Sequence, residues 1–360
     1  MRKNSSSYPV EIVADAFGES PALAKVLNEG ARVFIVADQN IVHRTPSLGT
    51  QIGRYFQDHG LRLAANPLVV SGGEKVKADG FRTAFSVLAS VLDAKIGQGD
   101  YVLALGGGTI LDLAGYAASQ VRGGIGLVRL PTTPAAMFEA AFADYAAVDS
   151  TSVKDALRVP SVPSAVVIDP AFAATVLDGV WCSGMGEAVR LALASDSSLL
   201  KKIEGLAETY AGRDPEALKE LLDLVLATRK KKGPTSLALW SAQRLETMSG
   251  YKVPHGYAVS IGVLFELAAA KVRGCLDADE IARVVDLLKR GGATETLAHS
   301  QYLLQQTDSF LCGLDAWGLT TDEGVTMIKG LGKSELVEAP DREVYREAAK
   351  VAGGEILQAL

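Results

Sequence analysis

Up to about Pro170 the chain alternates short runs rich in Val, Ile and Leu with stretches of helical period; after Trp181 long helix-period segments take over. A strand buried on both faces reads as a short continuous apolar run, whereas a helix repeats its apolar positions every three to four residues. On that basis strands are expected at 31–37, 67–70, 102–105, 125–130 and 165–168, with helices at 80–92 and 110–120. This is the rhythm of βαβ units, which build parallel sheets. In the second half, helical period runs over 187–206, 215–232, 237–248, 257–272, 279–289 and 341–360. Asp279 is expected to cap the fifth of these at its start, and Gly291-Gly292 to close it. The expected fold class is α/β: an N-terminal Rossmann-like, parallel-sheet nucleotide domain over residues 1–175, then an all-helical domain over 176–360. A cleft between the two is the expected place for a small-molecule site.

Each expected strand ends on polar residues or glycine. The run 31–37 leads into Asp38-Gln39-Asn40, and 67–70 into Ser71-Gly72-Gly73-Glu74-Lys75-Val76-Lys77. The run 102–105 leads into Gly106-Gly107-Gly108-Thr109, 125–130 into Pro131-Thr132-Thr133, and 165–168 into Asp169-Pro170. Open parallel sheets bind ligands outside the carboxyl ends of their strands, so these ends suggest one site. Three glycines between a strand and a helix let backbone N–H groups approach an anion, with the positive helix end aimed at the same spot. A nucleotide is the expected guest. The spacing is not the usual dinucleotide fingerprint, because Leu111 stands where the third glycine belongs and no suitable acidic residue follows about 20 residues on. Taken singly, Asp38, Glu74 and Thr132 suit helix caps and solvated loops equally well.

Composition narrows the classes. A chain of 360 residues, 48% hydrophobic, can bury a large core and suggests two domains. A net charge of −6 disfavours nucleic acid and anionic membrane as partners. Three widely spaced cysteines, Cys182, Cys275 and Cys312, fit reduced thiols, and residues 1–9 show no apolar signal run, so the cytoplasm is the expected location. Charges such as Asp112 and Glu266 interrupt every candidate bilayer span. Arg229-Lys230-Lys231-Lys232, the only charge run, suits a helix C-terminus better than an anion site.

The ordered set Gly73-Glu74 with Lys77, Gly106 to Gly115, Pro131-Thr132-Thr133, Val167-Ile168-Asp169, Gly184-Met185-Gly186-Glu187 and His255-Gly256 with Ala258-Val259 and Ile261-Gly262 resembles the sugar phosphate cyclases, whose best-known member is 3-dehydroquinate synthase. The likeness covers nearly the whole chain. It implies a tightly held NAD that oxidises a substrate hydroxyl, permits loss of phosphate and then re-reduces the ketone before ring closure. The NAD-contacting positions it implies are Asp38, Asn40, Glu74, Lys77, Gly107, Gly108, Thr109, Asp112, Thr132 and Thr133. It also implies a small phosphorylated or polyhydroxylated substrate and a homodimer.

The other half of the implied site departs from the family. Its divalent metal is held by a glutamate and two histidines; the glutamate is similar to Glu187 and the second histidine to His255, but the first falls on Leu239. Two ligands are fewer than a catalytic zinc site needs, so no metal is expected. The other histidines, His43, His59 and His299, lie elsewhere in the chain. A further family histidine is Gln243, a catalytic aspartate is Glu139, two lysines are Tyr145 and Arg190, and a glutamate is Tyr257; one lysine persists as Lys154, beside Asp155 where an asparagine is expected. The resemblance thus assigns catalysis to Glu139, Tyr145, Lys154, Glu187, Arg190, Gln243 and His255. Plainer readings stand beside it: Glu187 and Arg190 as a surface ion pair worth about 0.2–0.5 kcal/mol, and His255 as an ordinary loop residue. Tyr145 with Lys154 is similar to acid/base pairs of dehydrogenases, though the spacing carries no specificity. The expectation is an NAD-binding cyclase-like lyase with altered, metal-independent chemistry, not a genuine 3-dehydroquinate synthase. The alternatives are an NAD-dependent polyol or alcohol dehydrogenase on the same fold and a non-catalytic NAD-binding paralogue.

Overall fold

The computed structural model describes residues 8–28, 30–121, 123–293, 304–321 and 324–356. The chain divides into two compact units, one of residues Met1–Thr151 with Asp155–Val176, the other of Ser152–Lys154 with Leu177–Leu360.

The first unit is built on a seven-stranded sheet in the order β1-β9-β6-β5-β2-β3, with β4 also paired to β2. Its strands are β1 (Val10–Ile12), β2 (Arg32–Asp38), β3 (Arg62–Leu63), β4 (Leu68–Val70), β5 (Tyr101–Gly106), β6 (Gly126–Pro131) and β9 (Ala165–Ile168). All of its pairings are parallel. Strand β5 is buried at every position, as a strand covered on both faces must be. Register aligns Asp38 with Val70, Ala37 with Leu105 and Gly106 with Pro131, so the polar strand ends gather along one edge of the sheet. Helices α1 (Gln39–Arg44), α2 (Leu48–Asp58), α3 (Arg82–Asp93) and α4 (Gly108–Gln120) run between the strands. A hairpin of β7 (Tyr145–Val148) and β8 (Leu157–Pro160) adds a small antiparallel sheet that the sequence reading did not anticipate. It packs closely on α4: a side chain at Gly115 would stand 2.8 Å from Ser161 Oγ and 3.0 Å from Ala146 Cβ.

The second unit is helical: α5 (Ser183–Ser195), α6 (Ser197–Ala211), α7 (Pro215–Lys232), α8 (Leu239–Met248), α9 (His255–Val272), α10 (Ala278–Arg290), α11 (Thr307–Thr320) and α12 (Arg342–Val351). Helix α9 is buried from Gly256 to Ala270 and forms the axis of the unit. Trp240, Phe265, Phe310 and Tyr345 make one aromatic cluster, with ring centroids 4.9–5.6 Å apart. The expected helix over 187–206 is two helices, divided at Asp196, which leaves helical geometry and accepts a hydrogen bond from the Ser198 N–H. Local capping by Asp-Ser-Ser outweighs an apolar period that runs on through it. The N-cap of α10 is Asp277, not Asp279: its carboxylate accepts from Glu280 N while Glu280 reaches back to Asp277 N, a complete capping box. The last expected helix, over 341–360, ends as α12 at Val351 and widens into a short π segment, Ala352–Ile356; residues 357–360 lie outside the described residues. The helical region also carries one antiparallel hairpin, β10 (Val325–Gly330) with β11 (Lys333–Val337), absent from the all-helical expectation. Among the described residues no helix is long and apolar enough to cross a membrane.

Candidate functional site

In the first unit, Asp38 ends β2 and caps α1, accepting from Asn40 N at 2.8 Å and Asn40 Nδ2 at 3.0 Å. Burial pushes its carboxyl up from the ordinary value, and the two Asn40 bonds partly offset this. A Cβ at Gly72 would stand 2.3 Å from Asp38 Oδ2, so glycine lets the loop after β4 pass without displacing that carboxylate. Gly107 caps α4, and a Cβ on it would stand 3.1 Å from Thr133 Cγ2. The first-turn N–H groups of Gly108 and Thr109 have no intrahelical acceptor and sit at the positive end of the helix. Thr132 donates its N–H to Gly106 O at 3.0 Å, and Thr133 Oγ1 accepts from Ala136 N at 3.3 Å, fixing the β6 end beside the glycines.

Beside the start of α4 lies a second polar group. Lys77 Nζ donates to Asp112 Oδ2 at 2.6 Å and stands 3.7 Å from carboxylate oxygens of Glu74, Asp149 and Asp155. Thr109 Oγ1 donates to Glu74 Oε1 at 3.1 Å, and Ala147 N donates to Asp112 Oδ1 at 3.1 Å. Burial alone would lower the Lys77 pKa; Asp112, Asp149, Glu74 and Asp155 outweigh it and hold the ammonium charged. Lys77 thus anchors the loop at 73–77 to α4 and to the hairpin. Asp149 escaped the sequence reading because nothing in its local pattern marks it as buried. Glu139 is half-buried at the end of the short helix Pro134–Phe138, and Tyr145 opens β7 with its ring 4.7 Å beneath the Arg158 guanidinium. Burial pushes the Tyr145 phenol up.

The second unit brings five charged side chains into one chain of contacts. Glu187 and Arg190, on α5, are 3% and 1% exposed, so their pair is buried and not the surface ion pair that spacing alone allows. Arg190 donates Nε at 2.9 Å and Nη2 at 2.5 Å to the same oxygen, Glu187 Oε2. Its Nη1 donates to Thr235 O at 2.5 Å and Leu237 O at 3.5 Å, in the loop before α8. His255, at the N-terminus of α9, stands with Nε2 3.4 Å from Glu187 Oε1 and Nδ1 3.2 Å from Glu246 Oε1. Lys154 Nζ donates to that same Glu246 oxygen at 3.3 Å. Burial by itself would lower the His255 pKa, but the Glu246 charge and the bonds with Glu187 and Glu246 push it up to about 10. For Glu187, burial works upward, and Arg190 and His255 overcome it and hold the carboxyl at about 2. Lys154 belongs to this unit, not to the first unit where sequence order puts it.

Glu246 is the residue that sequence reasoning missed. It is 1% exposed, and its Oε2 has no hydrogen-bond partner among the described residues. Leu239, Gln243 and Glu246 are spaced i, i+4, i+7 on α8, which places them on one face. That spacing was the available signal. Leu239 opens α8 after Ala238, a non-glycine residue in the left-handed region at φ 63°. Gln243 and Lys154 line a small cavity with Trp240, Arg244, Thr247 and Trp317. Tyr257, at the position of a family glutamate, is buried against Gly179. His43 and His59 lie in the first unit, and His299 lies outside the described residues.

Comparison with known proteins gives this arrangement a family. The family described as 3-dehydroquinate synthase N-terminal matches residues 67–181, and 3-dehydroquinate synthase C-terminal matches 239–309. The chain belongs to the 3-dehydroquinate synthase and sugar phosphate cyclase family. It is 29% identical to the 3-dehydroquinate synthase of Dichelobacter nodosus (strain VCS1703A) over 216 residues, 57% of this chain and 58% of that one. The fold is shared with 2-epi-5-epi-valiolone synthase from Streptomyces hygroscopicus subsp. jinggangensis 5008, solved with NAD+ and Zn2+ bound, at TM-score 0.82 and 22% identity over 98% of both chains. A 2-deoxy-scyllo-inosose synthase complexed with carbaglucose-6-phosphate, NAD+ and Co2+ matches at TM-score 0.77 and 18% identity, over 95% of this chain and 96% of that one.

The two cofactors named for these cyclases fare differently against the residues present. The edge formed by Asp38, Gly72, Gly107, Gly108 and Thr133 suits a dinucleotide: a carboxylate at a strand end, glycines where a side chain would intrude, and open N–H groups at a helix start. The second unit does not suit a divalent metal. Leu239 offers no lone pair, Glu187 Oε2 is taken by the Arg190 fork, and both nitrogens of His255 face carboxylates. Among the described residues no group of three or more His, Cys, Asp or Glu side chains is arranged to hold a metal ion.

Proposed function

We propose that this member of the family is an NAD-dependent cyclase-type lyase that acts on a small phosphorylated or polyhydroxylated substrate without a divalent metal, and that it does not make dehydroquinate. The observation that carries this reading is the Arg190 fork on Glu187; the strand-end edge of Asp38, Gly72, Gly107 and Gly108 supports its cofactor half. NAD, when bound, supplies reversible acceptance of a hydride. Asp38, with one carboxylate oxygen free of Asn40, accepts from ribose hydroxyls, and the Gly108 and Thr109 N–H groups face the pyrophosphate. Asn40, Glu74, Lys77, Asp112, Thr132 and Thr133 shape and support that cradle. His255 and Glu139 move protons, while Arg190, a permanent cation, holds Glu187 in place beside His255. Lys154, Gln243 and Tyr145 offer polar groups for substrate hydroxyls or phosphate. A homodimer in the cytoplasm completes the proposal.

Isothermal calorimetry tests the cofactor half. NAD should bind, and Asp38→Ala should weaken it by about tenfold or more, the loss expected of a hydrogen bond to a charged acceptor worth about 1.5–3 kcal/mol. Absence of NAD both from the titration and from the purified protein would overturn the reading.

A further inference from the structure

We infer that the Arg190 guanidinium is a covalently tethered cation standing in for the divalent ion of the relatives, holding together the elements that such an ion would join. This deepens the metal-free reading proposed above. Three elements meet at the guanidinium and its partner: α5 through Glu187, the loop before α8 through the carbonyls of Thr235 and Leu237, and α9 through His255. Glu187, Leu239 and His255, the positions aligned with the family's metal donors, lie on α5, at the start of α8 just after that loop, and on α9. An ammonium in place of the guanidinium would not serve, because only a planar fork gives two N–H groups to one carboxylate oxygen and still reaches two carbonyls. The fork also bars an ion, because two of its N–H groups occupy Glu187 Oε2, which a lysine at the same position, as in the family, would leave more open. Leu239 and Arg190 are thus two separate locks on one site, the first withholding a ligand and the second occupying another.

The test measures metal uptake, not turnover, so it reads independently of whether the proposed reaction or NAD binding is right. Wild type, Leu239→His, Arg190→Lys and the double variant are dialysed against zinc or cobalt, stripped of loosely held ion, and analysed for metal, with thermal melting to confirm folding. The expected result is that only the double variant retains about one equivalent per chain, three protein ligands being what a catalytic site needs. Cobalt should give it a visible absorption band that Glu187→Ala in the same background abolishes, and metal should raise its melting temperature. Uptake of one equivalent by wild type, lost in Glu187→Ala, would overturn the inference. So would Leu239→His alone binding as tightly as the double variant, since Arg190 would then be no lock, or a folded double variant that retains no metal.

Discussion

His255 stands between two carboxylates, and that position sets how the second unit responds to pH. Its imidazole is raised from 6.5 to about 10, so its contribution to stability is complete below about pH 6.5 and is lost as pH rises through about 10. Glu187 is lowered from 4.5 to about 2, so its contribution is present above about pH 4.5 and is lost as pH falls through about 2. Together they give a plateau between about pH 4.5 and 6.5. Glu246→Gln removes the charge that raises His255 most, so the histidine should titrate at lower pH by ring NMR. Breaking a buried pair costs about 3–5 kcal/mol, and with His255 32% exposed the loss should fall at or below the low end of that range. Melting should show a larger deficit at pH 6 than at pH 10, and an equal deficit at both would mean that Glu246 acts through packing alone. Glu246 was hard to read from sequence for a physical reason. A glutamate in a helix-period segment ordinarily faces water, and the lysine that pairs with this one lies 92 residues away at Lys154.

At the scale of elements, the parallel strands were legible because burial on both faces writes an unbroken apolar run, and β9 falls at the expected 165–168. Helix ends were less legible, since capping is decided by which of several acidic side chains reaches the free N–H groups. Asp277 and Asp279 differ by two positions, and only the first closes the capping box. Asp277→Ala should therefore cost about 1 kcal/mol in urea unfolding, whereas exposed Asp279→Ala should stay within about 0.5 kcal/mol. Equal losses would return the cap to Asp279. Helix α9 carries a second test. Glu266 is buried, accepts from Trp240 Nε1 at 2.8 Å and contacts Tyr345 OH at 3.4 Å, and burial pushes its carboxyl up to about 8 against these bonds and the Arg273 charge. The unfolded chain releases this proton near pH 4.5, so the native state loses stability as pH rises from there to about 8. Glu266→Gln keeps the shape and removes the titration. The variant should match wild type at pH 4.5, melt higher at pH 8, and show a flatter profile between; a variant less stable than wild type at pH 8 would mean that the carboxylate is charged in the fold.

Across the whole molecule, the half legible from sequence was the half made of strand ends and backbone, because Asp38, Gly72, Gly107 and Thr133 each lie next to the strand that positions them. The other half consists of charges joined across long separations, 45 residues from Arg190 to Thr235 and 68 from Glu187 to His255, and there a resemblance shows what has been replaced but not what the replacements touch. This division bears on the fate of the cofactor. A cyclase oxidises its substrate and later returns the same hydride, so on the proposed reading the groups from Lys154 to Arg190 would serve a reaction with no net redox change. A dehydrogenase on a similar fold would instead release NADH at each turnover. Once a substrate is found among phosphorylated or polyhydroxylated compounds, product should accumulate well beyond the NAD supplied, with no steady rise in absorbance at about 340 nm, the nicotinamide band expected of released NADH. Glu139→Ala or His255→Ala should lower turnover by about 10²-fold or more, as loss of a general acid or base does, while NAD affinity stays unchanged. The substrate of 3-dehydroquinate synthase should give no product. One NADH formed per product would replace the cyclase reading with the dehydrogenase one, because it would show that the hydride never returns to the carbon it left.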